Sequence, residues 1–250
     1  MAVTITFPES CLCSTERLTA AAKRWRFLRK LKRYDQMDFQ FALWQMVHLI
    51  IGPRKVYRNF VSRKETKNQF ARDDPAFLVL LAGFLCLSSG LITLVLGLGF
   101  LGFVKFFLWS VFVDCIATGL VVATVMWAIT NQFFRADPAL DVEWGYSFDI
   151  HLNGTFAFLV FIHILQPLFY YPVLNAWDFV GTFLSNTLYL LACTYYLYIT
   201  FLGYSSVPFL KSTKRLLSVF PIMVLLYIVS LSVGWNISRT VMNFYHYRVM

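Results

Sequence analysis

Charge is scarce over most of this chain, and the scarcity indicates a class before any motif is read. Only 14% of its residues are Asp, Glu, Lys or Arg, where soluble domains carry roughly a quarter. From Ala76 to Val104 there is no formal charge at all, and a run of about 18 apolar residues or more reads as a transmembrane helix. Cysteine offers no disulfide framework. Cys86, Cys115 and Cys193 sit in apolar runs as small hydrophobes, and Cys11 and Cys13 lie in the N-terminal tail. An apolar signal core is also missing, because Arg17 to Arg33 is studded with charge. The first span is therefore expected to act as an uncleaved insertion signal. There is no Walker, Rossmann or zinc-finger spacing, no internal repeat, and no nucleophile or oxyanion device near the carboxylates. The expectation is a non-enzyme with no cofactor and no metal.

What charge there is gathers at the front. Of the 22 Lys/Arg residues, 15 precede Pro75. Residues 1–16 show no periodicity and are expected to be a disordered tail. Beyond them Leu18, Ala21, Trp25 and Leu28 fall at helical spacing, with Lys23, Arg24, Arg26, Arg29, Lys30, Lys32 and Arg33 crowding the other positions. Such a basic helix suits an anionic cytosolic leaflet, at about 1 kcal/mol per Lys or Arg near the surface. RNA phosphates would suit it too, but the spans that follow favour the membrane. Gln36–Ile51 places Asp38, Gln45 and His48 on one narrow stripe. Its charge-free part is too short to cross, so it should lie in the interface or against the bundle, with Trp44 at headgroup depth. Arg54–Lys67 is a second basic amphipathic stretch. Together 17–75 form a cytosolic basic and interfacial arm, which ends at Asp74-Pro75, a helix-start signal.

The fold class expected for 76–250 is all-α: a polytopic five-helix transmembrane bundle preceded by the basic amphipathic helices. The spans are read at about 76–96, 106–130, 154–171, 179–202 and 216–235, followed by a short tail. With the N-terminus cytosolic, nineteen Lys/Arg lie on the cytosolic side and three opposite, which fixes the orientation and puts the C-terminus in the lumen. Two sequons, Asn153-Gly154-Thr155 and Asn236-Ile237-Ser238, are expected to stay unglycosylated. One is cytosolic and the other lies against the bilayer.

Two polar features stand out in and beside the spans. Asp114 lies mid-helix, where a carboxylate costs about 2.5–3.5 kcal/mol on insertion scales and should face a partner. His163 is the candidate, since each residue sits about eight positions from the lumenal end of its helix on this reading. A proton-linked carrier site is one interpretation, and a neutral packing hydrogen bond is the favoured one. The second feature is the acidic stretch Asp141, Glu143, Trp144, Asp149 and His151 in an expected cytosolic loop, 131–153. It lacks a second histidine at ligand spacing, and it is read as a docking face for the arm or a partner. Arg72 and Asp73 are expected to pair with it, Arg72 with Asp141 in particular.

Six stretches then carry a resemblance. Gln36-Met37-Asp38-Phe39, Val56-Tyr57-Arg58-Asn59-Phe60, Ala71-Arg72-Asp73-Asp74-Pro75-Ala76-Phe77, Asp141-Val142-Glu143-Trp144-Gly145-Tyr146, Phe201-Leu202-Gly203-Tyr204-Ser205 and Tyr247-Arg248-Val249 resemble the Unc-fifty family of Golgi membrane proteins. The resemblance runs from Lys23 onward. It implies a five-span Golgi protein with a cytosolic N-terminus that acts in trafficking and in surface delivery of nicotinic acetylcholine receptor subunits. It further implies contact with guanine-nucleotide exchange factors for Arf GTPases and an association with RNA. It defines no catalytic residues.

Overall fold

The computed structural model describes residues 37–58, 71–72, 74–137, 140–176 and 178–250. The tail, the first basic helix with Lys23, Arg24, Arg26, Arg29, Lys30, Lys32 and Arg33, most of Arg54–Lys67, and Asp73 lie outside the described residues. The described fold is all-α. A short helix α1 (Phe39–Ile51) precedes five helices long and apolar enough to cross a membrane: α2 (Ala76–Val95), α3 (Phe100–Phe134), α4 (Trp144–Leu174), α5 (Phe179–Ser205) and α6 (Thr213–Ser232). A further helix, α7 (Ile237–Val249), follows the last span. Among the described residues the sole extended pairing is an isolated antiparallel bridge between Arg135 and Leu210.

Local chemistry accounts for the boundaries. Asp74 accepts the Ala76 N–H at 3.0 Å beside Pro75, which starts α2. Gly97 takes φ +66°, a left-handed turn that costs glycine little, and α3 begins at Phe100 rather than near Phe106. Lys105 therefore lies inside α3, not at the turn. Asp178 caps α5 by accepting the Gly181 N–H at 2.8 Å, and Asn236 caps α7 by accepting from Arg239. The largest departure from the sequence reading is α4. It starts at Trp144, not Gly154, so the expected polar loop 131–153 is half helix. At about 1.5 Å per residue its 31 residues run about 46 Å, well beyond a hydrocarbon core of about 30 Å. The polar first turns have room outside the core.

The hub of the bundle is α4: 44% of its most apolar window is buried, against 6% for α6, which rests on the flank of α5. Small residues let backbones approach the hub. A Cβ on Gly154 would sit 2.8 Å from the Tyr196 ring of α5, and one on Gly203 2.8 Å from Ile150 of α4, the close contact that helices in lipid rely on for packing. Along one face α1 buries Ala42, Gln45, Met46 and Leu49 against α2 and α4. Leu43, Val47 and Ile51 face outward, so α1 lies along the bundle with a lipid-ready outer face.

Candidate functional site

The mouth of the bundle, where the arm meets α2, is built from main-chain donors as much as side chains. Glu143 accepts the Ala71 N–H at 2.9 Å and Asp149 accepts the Arg72 N–H at 2.6 Å. The guanidinium of Arg72 donates through Nη2 to Asn153 Oδ1 at 2.8 Å, keeps Nε 3.9 Å from Asp149 Oδ1, and lies 4.1 Å over the Phe77 ring. Asn153 gathers three elements: it accepts from Gln45 of α1 as well as from Arg72, and donates to the Tyr57 hydroxyl at 3.2 Å. Burial pushes the Tyr57 phenol above its usual range, against the opposing pull of the Asn153 hydrogen bond and the Arg72 charge. The arm is also tied at Asp38, whose N–H donates to Asp74 Oδ2 at 2.9 Å. Five and four residues before α2 begins, two main-chain N–H groups and one guanidinium are thus fixed by Glu143 and the first turns of α4.

The acidic stretch splits. Asp141, exposed, pairs with Arg135 in the adjoining loop, so it is Asp149 and not Asp141 that receives Arg72. Helix geometry explains the difference, because Asp149 is carried inward by α4 while Asp141 precedes the helix. Glu143 takes Ala71. Trp144 stacks on Phe148 at 5.6 Å and donates Nε1 to Thr124 of α3, which makes it a clasp between helices rather than an outward anchor. His151 is buried, with Nδ1 2.8 Å from the Tyr196 hydroxyl and Nε2 3.1 Å from Thr155 Oγ1.

Inside the bundle the expected Asp114–His163 pairing is replaced. Asp114 receives a bidentate fork from Arg248, Nη1 to Oδ1 at 2.9 Å and Nη2 to Oδ2 at 2.8 Å. The guanidinium is ringed by Phe106, Trp109, Phe244 and Tyr245, with centroids 5.1–5.6 Å away. His163 instead lies 3.1 Å from Ser88 Oγ through Nδ1. The counting of positions failed for a physical reason. α3 begins six residues earlier than expected, and both helices widen into π turns, at Ser110–Ala117 around Asp114 and at Val160–Leu165 around His163, which rotate side chains away from a regular register. Both carboxylate oxygens of Asp114 face Arg248, and His163 is turned to Ser88 instead.

The described residues hold no group of three or more His, Cys, Asp or Glu that could bind a metal. Both sequons are folded away. Asn153 and Thr155 are buried in the mouth network, and Asn236 is buried with its Nδ2 on the Leu174 carbonyl at 2.7 Å.

A family model described as the UNC-50 family matches residues 27–246. The chain belongs to the UNC-50 family. It is 51% identical over 238 residues to Protein unc-50 of Caenorhabditis elegans, covering 95% of this chain and 79% of that protein. Over 235 residues it is 51% identical to the Protein unc-50 homolog of Homo sapiens, covering 93% and 91%. Over 237 residues it is 51% identical to that of Danio rerio, covering 93% and 92%. No solved structure matches the chain. For this UNC-50 family member the residue that the local pattern did not mark is Arg248, which looks like part of a polar tail. Its signal was present in two pieces: Asn236 as a cap ahead of Met242, Tyr245 and Val249 at helical spacing, and a lone intramembrane carboxylate in need of a cation.

Proposed function

We propose that this chain is a non-enzymatic Golgi membrane protein of vesicular and protein trafficking, with the N-terminus cytosolic and the C-terminus lumenal. In this reading the basic arm and the exposed loop residues beside it form a cytosolic surface that recruits Arf exchange factors. The bundle engages receptor cargo of the nicotinic type. The observation that carries the reading is the mouth network. Ala71 and Arg72 are bonded to Glu143, Asp149 and Asn153, so the end of the arm is anchored on the bundle, as a surface that must present basic residues to both a membrane and a protein requires. Family membership supports it. Neutralising the clamp with Glu143→Gln and Asp149→Asn should lower exchange-factor recruitment to Golgi membranes while the protein still reaches them. Unchanged recruitment by that folded variant would show that the arm does not work through its attachment.

A proton-linked carrier built on Asp114 and His163 is the other reading. The fork that Arg248 makes on Asp114, with His163 turned to Ser88, weighs against it, since a site shared by Asp114 and His163 needs the two to meet. Normal trafficking in a folded Asp114→Asn variant would remove it.

A further inference from the structure

Asp114 and Arg248 lie 134 residues apart in the chain. When α3 is made, its carboxylate has no partner, and α4, α5 and α6 must all follow before α7 can deliver the guanidinium. A second charge on α3 waits for the same helix: Lys105 donates Nζ to the Val249 and Met250 carbonyls at 3.1 and 3.3 Å. Hydrocarbon offers such groups no hydrogen bond in the meantime.

The geometry of α7 is that of a strap drawn across the spans. At its start the Ile237 N–H donates to Asn186 Oδ1 and the Ser238 N–H to Ser185 Oγ, both on α5. Arg239 donates to the Asn175 and Ala176 carbonyls just beyond α4. In the middle Met242, fully buried, packs with Tyr170 and Leu174. At its end Val249 sits against Ile92 of α2 and Phe106 of α3. Four spans are touched by one short helix, and the two charges of α3 are met at its last turn.

We propose that α7 is a folding checkpoint: its docking masks the intramembrane charges of α3, and an unmasked Asp114 or Arg248 is the signal by which membrane quality control holds or degrades an unfinished bundle. This proposal stands independently of the trafficking reading, because it concerns the chain's own completion. Three outward signs follow. Loss of either member of the Asp114–Arg248 pair alone leaves the other exposed, loss of both removes that signal, and an undocked strap uncovers Met242.

The test uses the full chain in cells, with pulse-chase half-life as one readout and maleimide labelling in a Met242→Cys background as the other. The chain without Met242→Cys sets the cysteine background. Arg248→Met should shorten the half-life several-fold and make position 242 reactive. Asp114→Asn should also shorten it. Combining the two should restore most of the lost half-life even if labelling at 242 persists, because the masked charge and not the docked helix is the signal. An Arg248→Met chain as long-lived as the unmodified one would overturn the proposal. So would a double variant as short-lived as the single.

Discussion

Arg72 at the mouth of the bundle and Arg248 within it keep only 12% and 7% of their side chains exposed, and they are held by different means. Arg72 shares its site: its own N–H and that of Ala71 take the carboxylates of Asp149 and Glu143, while the guanidinium turns mainly to the neutral Asn153. Arg248 engages through its side chain alone, in a two-pronged fork on Asp114 inside a ring of aromatic residues. The first arrangement fixes a stretch of backbone and would survive, in part, without its guanidinium. The second is a charge pair whose members need one another, since breaking a buried pair leaves an uncompensated charge. The mouth is therefore suited to orienting the arm, and the inner pair to holding α7 in place.

The comparison can be broken most severely at the inner pair. Arg248→Ala should destabilise the purified protein by about 3–5 kcal/mol, read as a lowered thermal unfolding midpoint in detergent. A loss no larger than that of Arg72→Ala would erase the distinction. At the mouth, Asp149→Ala should cost about 1.5–3 kcal/mol, the range for hydrogen bonds to a charged group. It removes a main-chain acceptor and the neighbouring charge together. Arg72→Ala should cost less than Asp149→Ala, because the N–H groups of residues 71 and 72 keep their carboxylates. If Arg72→Ala proved the more damaging of the two, the guanidinium rather than the backbone would be the holding element. Asp149 and Arg72 share partners, so their double variant should fall short of the sum.

Much of the bundle was legible because lipid imposes a simple rule. Charge-free runs such as Ala76–Val95 have few alternatives to a spanning helix, and Asp74-Pro75 marks where the first begins. The start of α4 was not legible. Glu143 to Asn153 reads as a loop because its polar groups have no evident use until α1, the arm and α5 arrive to bond them: Gln45 and Arg72 to Asn153, Tyr196 to His151. Long-range partners of this kind leave no local pattern. Arg248 was missed for the same reason, its meaning being set by a residue on another helix. Arg72 was read as pairing toward the acidic stretch, but which carboxylate it meets depends on how far α4 extends, and that boundary was placed ten residues late.

The smallest effect sharpens the contrast from the other side. Asp141 and Asp149 are both acidic and lie eight positions apart, and the sequence reading favoured Asp141 as the partner of Arg72. In the fold Asp141 keeps 69% of its side chain exposed and faces Arg135, whereas Asp149 keeps 12% and faces Arg72. An exposed pair gains little over water and is screened by salt, with measured values of about 0–1 kcal/mol. Asp141→Asn should therefore shift the unfolding midpoint barely or not at all, and any shift should shrink further at high salt. If Asp141→Asn destabilised the protein as much as Asp149→Ala, the loop before α4 would be part of the clamp. The arm would then be held by three carboxylates in place of two.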